Sequence, residues 1–198
     1  RSQETKAVAM YQMGRTYEDL NLYREAAYYY RAVVNQDAPY PANKLHMAQA
    51  RVALAIGDWD SARNHCQNAY ETGAGELATL ECLALIARGT GLPSPSDVGR
   101  TLASKTEKPM AHLLAAELML MDHLYVEALE LLRPLPDQLR GHHARIANAH
   151  LGDAFFYTAD LEGARDAWRN VGPSGKLGGI VQQRQRVLRL LQSPPQEW

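Results

Sequence analysis

The feature that most restricts the fold of this chain is a period near 36 residues. Four stretches read alike: Leu22-Tyr-Arg-Glu-Ala26, Asp58-Trp-Asp-Ser-Ala62, Leu124-Tyr-Val-Glu-Ala128 and Asp160-Leu-Glu-Gly-Ala164. Each sets a large apolar residue (Tyr23, Trp59, Tyr125, Leu161) three positions before an alanine. Tyr23 and Trp59 lie 36 apart, as do Tyr125 and Leu161, whereas Trp59 and Tyr125 are separated by 66, about two periods. One degenerate repeat is therefore expected in the middle. Four residues after each alanine comes another core-type side chain, Tyr30, Cys66, Leu132 and Trp168, which marks one face of a helix.

About twelve positions before each alanine sits a small residue, Gly14, Ala50, Ala116 or Gly152, inside a second amphipathic stretch. Small side chains there permit close antiparallel packing. The unit is helix, short turn, helix. The middle departs from it: Glu76 to Arg88 reads as a helix, Gly89-Thr-Gly-Leu-Pro-Ser-Pro95 breaks it, and a helix from about Asp97 to Ser104 follows without the alanine signature. A last amphipathic helix to about Gln192, with Leu177, Ile180, Val181, Val187, Leu188 and Leu191 as its stripe, is expected to close the open end of the stack.

These residues resemble the tetratricopeptide repeat family. Met13-Gly14, Tyr17, Tyr23, Ala26 and Tyr30 occupy its signature places in the first repeat, and Leu151-Gly152, Phe155, Leu161, Ala164 and Trp168 do so in the last. Ala50, Gly57, Trp59, Ala62 and Ala69 carry the second, and Ala116, Tyr125, Ala128 and Leu132 the fourth. The resemblance implies an all-α, right-handed superhelix of about five helix pairs, at about 7–40, 43–74, 75–107 (degenerate), 109–141 and 145–174. A capping helix over 177–192 and an extended tail over 193–198 complete the expected layout.

It also implies a non-catalytic scaffold or adaptor that binds a peptide or partner protein along the first helices of its repeats. Carried over position by position, the groove residues are Tyr11 and Arg15, Met47 and Arg51, Leu113 and Glu117, Ala149 and Asp153. Such a groove is basic in its N-terminal half and acidic in its C-terminal half, so a partner with an acidic part is expected to meet Arg15 and Arg51. The clamp that holds a chaperone's C-terminal carboxylates is not matched, because Tyr11, Arg15 and Ala48 stand at its places. Seven of the ten tyrosines fall within the first forty residues. The repeat pattern explains Tyr17, Tyr23 and Tyr30; Tyr11, Tyr28, Tyr29 and Tyr40 are left over, and Tyr28, Tyr29 and Tyr40 are expected to form a contact surface at the N-terminal end.

Charge and composition exclude other classes. With 21 basic and 22 acidic residues the net charge is -1, so no long-range field recruits nucleic acid. No apolar run approaches the length of a membrane span. No apolar h-region follows Arg1 to Lys6, so no signal peptide is read; the missing initiator Met fits a processed or excised piece, so a soluble chain is expected and its compartment is left open between the cytoplasm and a destination set by a removed targeting segment. Cys66 and Cys82 read as small core residues, not a disulfide framework. His142, His143 and His150 lack a carboxylate or thiol beside them, and no nucleophile or phosphate-loop motif occurs, so no metal, cofactor or enzyme activity is expected. Two alternatives stand beside the scaffold: a self-associating assembly protein, or the regulatory domain of a longer enzyme.

Overall fold

The computed structural model describes residues 2–35 and 40–192, and the expected tail lies outside the described residues. Among them every regular element is helical. The chain forms two compact units, residues 1–94 and 95–198. Unit 1 holds α1 (Ser2–Asp19), α2 (Tyr23–Val34), α3 (Ala42–Ile56), α4 (Trp59–Glu71) and α5 (Glu76–Thr90). Unit 2 holds α6 (Pro95–Lys105), α7 (Pro109–Met121), α8 (Tyr125–Leu132), α9 (Leu135–Gln138), α10 (Gly141–Tyr157), α11 (Leu161–Arg169) and α12 (Gly175–Gln192).

The periodic residues do in space what their spacing implied. Gly14 on α1 lies against the Tyr30 ring of α2, and Gly152 on α10 against the Trp168 indole of α11; a Cβ at either position would run into the ring. The first helix of the pair can approach only because that side chain is absent. Ala26, Ala62, Ala128 and Ala164 are fully buried. The large residue three positions earlier reaches the next pair: Trp59 covers Gly89 of α5, and Tyr125 stacks on Tyr157 of α10 at 4.5 Å.

Each of the four well-matched pairs turns in the same way. Asn21, Gly57, His123 and Ala159 all have positive φ, between 59° and 77°. The next residue's N–H then donates back across the turn, from Leu22 to Tyr17, Asp58 to Ala53, Leu124 to Met119 and Asp160 to Phe155, each at 2.9 Å. This six-to-one bond is the Schellman closure of a helix C-terminus. Asp58 and Asp160 also cap the following helix by accepting from the N–H of Ser61 (3.1 Å) and Gly163 (2.9 Å).

The helix expected over 97–104 starts at Pro95 and packs on α7, while α5 packs on α4. Gly99 makes that possible, since a Cβ there would come 2.9 Å from the Ala115 carbonyl oxygen. Ser96 N–H donates to Asp122 (2.9 Å) and Arg100 donates twice to Glu127 (2.8 and 3.1 Å), binding α6 to the end of α7 and to α8. The one-turn α9, capped by Pro134 and carrying Pro136 in its first turn, was not foreseen; it sinks Leu135 into the core of α7, α8 and α10. Cys66 and Cys82 are buried as expected, but they are joined as a disulfide linking α4 to α5, with Cα atoms 6.2 Å apart.

Leu177, Val181 and Leu188 of α12 pack into the core of α10 and α11, as a closing helix requires. Ile180 and Val187, read from the sequence as part of the same stripe, are 38% and 49% exposed. The Leu191 side chain lies outside the described residues.

Candidate functional site

The eight residues expected to line a groove separate into packing and charged groups. Leu113 and Ala149 are core residues, buried because their helix faces point into the next pair. Tyr11 is also buried, stacked on Tyr40 at 4.7 Å and tilted against Tyr30 at 5.4 Å. Met47 is half-buried, and Arg15 is exposed.

Arg51, Glu117 and Asp153 are joined in pairs that the sequence reading missed. Arg51 of α3 donates to both oxygens of Glu18 on α1, at 2.6 and 3.0 Å, and Tyr30 O–H donates to the same carboxylate at 2.7 Å. His150 Nε2 of α10 lies 3.3 Å from Glu117 Oε1 on α7. Arg184 Nη2 of α12 lies 2.8 Å from Asp153 Oδ2 on α10. In every case the acid is on one first helix and the basic side chain on the next such helix in the same unit. The separations are 33, 33 and 31 residues. A separation a few residues short of the repeat period puts the basic side chain about one turn earlier in its helix than the acid, so neighbouring helices packed side by side with a stagger bring the two into contact. An acid followed 31 to 33 residues later by a base was the available signal.

Pairing reshapes the electrostatics. Burial pushes the Glu18 carboxyl up, but hydrogen bonds from Arg51 and Tyr30 and the charges of Arg51 and Arg15 outweigh it and hold the group below its ordinary value. Burial and the Glu18 carboxylate together raise the Tyr30 phenol well above its ordinary value. Tyr40 is pushed up to about 12 by burial and by its contact with Tyr11. Asp153 behaves oppositely to Glu18: burial dominates and raises its pKa, although Arg184, His150 and the Trp168 N–H (3.1 Å) favour the charged form.

At the N-terminal end the expected tyrosine surface is partly consumed. Tyr29 stacks on Tyr17 at 5.2 Å and Tyr40 on Tyr11, while Tyr28, edge-on to Tyr29, is 64% exposed. His142 and His143 are exposed at the start of α10. Among the described residues no three metal-ligating side chains converge, and no helix is long and apolar enough to cross a membrane.

Against known proteins, no family model matches the chain and no curated protein matches it. Solved structures do. One is YrrB, described as a TPR protein with an unusual peptide-binding site: 15% identity, TM-score 0.67, covering 89% of this chain and 92% of that one. Another is a tetratricopeptide repeat protein from Parabacteroides merdae: 9% identity, TM-score 0.62, covering 92% of this chain and 71% of that one. The chain therefore has an all-α, tetratricopeptide-like helical-repeat fold.

Proposed function

We propose that the chain is a non-catalytic protein-interaction scaffold that holds a partner's polypeptide against the first helices of its repeats. The observation that carries this reading is that the Glu18 carboxylate, paired with Arg51, also feels the charge of exposed Arg15. Arg51 engages Glu18 directly, and Arg15, exposed three residues before it on α1, acts on the same group through its charge. Two cations against one anion leave a positive excess beside the Tyr11–Tyr40 stack. A carboxylate of the partner pairs there with Arg15, whose planar fork suits it. The tetratricopeptide-like fold and the peptide-binding site named for YrrB support the same reading.

Arg15→Glu tests it, because this change reverses the charge without removing the Glu18–Arg51 pair. Capture of partners from native lysate by the variant should fall at least tenfold against the unaltered chain, with helicity unchanged. Equal capture by both would dispose of the reading. Exposed Tyr28 favours a second one, in which the N-terminal end docks another copy of the chain; sedimentation that stays monomeric at all concentrations would exclude it.

A further inference from the structure

The acid expected to face a partner at Asp153 is spent on Arg184, and this changes what α12 offers. Asp153 is only 13% exposed, with one oxygen taken by Arg184 and the other by the Trp168 indole N–H. The site's outward chemistry is then that of the guanidinium, which remains 39% exposed and commits Nη2 to the carboxylate. Asp153 and Arg184 themselves line a cavity of about 100 Å3, together with Phe156, Tyr157, Trp168 and Val187. Phe156 sets its ring edge-on to Tyr157 (5.5 Å) and tilted to Trp168 (5.8 Å), so the walls are aromatic and held in place by one another. Tyr157 and Val187 are 62% and 49% exposed, so the cavity opens to solvent.

The surrounding helix face has one sign of charge. Lys176, Ile180, Arg184 and Val187 follow at intervals of three or four and share one side of α12. Arg186 and Arg189 add to the helix's positive charge, and no acid occurs from residue 167 to residue 196. A basic face with two exposed aliphatic side chains and an aromatic cavity complements an anionic, partly apolar ligand and repels a cationic one.

The geometry points to a docking site on α12 and the end of α10 for an acidic peptide segment of a partner protein, in which a carboxylate meets Arg184 and an adjacent large apolar side chain enters the cavity between Tyr157 and Val187. It rests on the reading of the chain as a protein-binding module and extends that reading to unit 2. Asp153 fixes the guanidinium before the ligand arrives, which reduces the ordering cost of binding.

The test is selection of a random twelve-residue phage-displayed library on the intact chain, followed by titration of the enriched peptides. Val187→Glu is the main variant, since it alters an exposed side chain and places a competing carboxylate beside Arg184; Arg184→Gln is the second. Enriched peptides should pair Asp or Glu with Leu, Phe or Trp, bind both variants at least tenfold more weakly, and bind Arg15→Glu as tightly as the unaltered chain. Peptides that ignore Val187→Glu, or that are basic, overturn this site and leave the scaffold reading standing. No enrichment overturns this site alone if lysate capture remains sensitive to Arg15→Glu, and both readings if it does not. Flotation with phosphatidylserine vesicles that is lost in Val187→Glu would assign the face to lipid and overturn the peptide site.

Discussion

In unit 1 the left-handed turn position is filled by Asn21 and Gly57; in unit 2 it is filled by His123 and Ala159, yet the φ angles and the closing hydrogen bonds are the same. Glycine and asparagine enter this region at little cost, whereas a residue with an ordinary Cβ gives up about 1 kcal/mol or more. The turn in unit 2 is therefore imposed by what packs on either side of it, and the turn in unit 1 also by the residue that makes it. In the last pair the imposing contact is Trp168 on Gly152, with the indole N–H bonded to Asp153 and to the Ala149 carbonyl at 3.3 Å.

Removing that contact should break the comparison most severely. Trp168→Ala is expected to destabilise unit 2 by about 3–5 kcal/mol, the usual range for emptying a buried aromatic site. The amide of Asp160, whose bond to Phe155 closes the turn, should lose its hydrogen-exchange protection with it. A turn that stays protected would show that it does not depend on the packing. Next in size, Ala159→Gly should stabilise by about 1 kcal/mol and Gly57→Ala should cost a similar amount, measured by urea denaturation. Loss of stability in Ala159→Gly would mean that chain entropy outweighs the relieved backbone.

The smallest effect is one of pH, and it has opposite signs in the two units. His65 in unit 1, stacked on His46 at 5.7 Å, has its pKa lowered by burial and by the His46 charge, with Asp58 opposing. The unfolded chain then binds the proton more readily than the folded one, so this contribution is complete above about pH 6.5 and is lost as the pH falls below it. Asp153 in unit 2, with its pKa raised, contributes most below its unfolded value of 3.8 and loses that contribution as the pH rises through the folded value. Replacing His65 with Gln should flatten the decline in stability between pH 6.5 and 5 followed by thermal unfolding; an unchanged slope would assign it to other groups.

The legible parts of this molecule are those that depend on short spacing. Gly14, Ala26 and Tyr30, or Gly152, Ala164 and Trp168, mark a helix pair because each contact lies within one repeat and recurs in the next. The pairing of α6 with α7 was hidden because α6 lacks the alanine signature and its point of closest approach is Gly99, outside the repeat pattern. The expected groove positions lie on α1, α3, α7 and α10, but the fate of their charges was not visible. Whether Arg51 or Asp153 faces a partner or a neighbouring helix depends on the stagger between helices, which no single repeat encodes.

That stagger also gives each unit a polarity. Each rung passes from a carboxylate on an earlier helix to a basic side chain on a later one, so the first helices within a unit are not interchangeable end for end. α12 receives such a rung through Arg184 and, having no acid between residues 167 and 196, hands none forward. A further helix pair grafted behind it would find the fastener absent, and would have to be held by apolar contact alone.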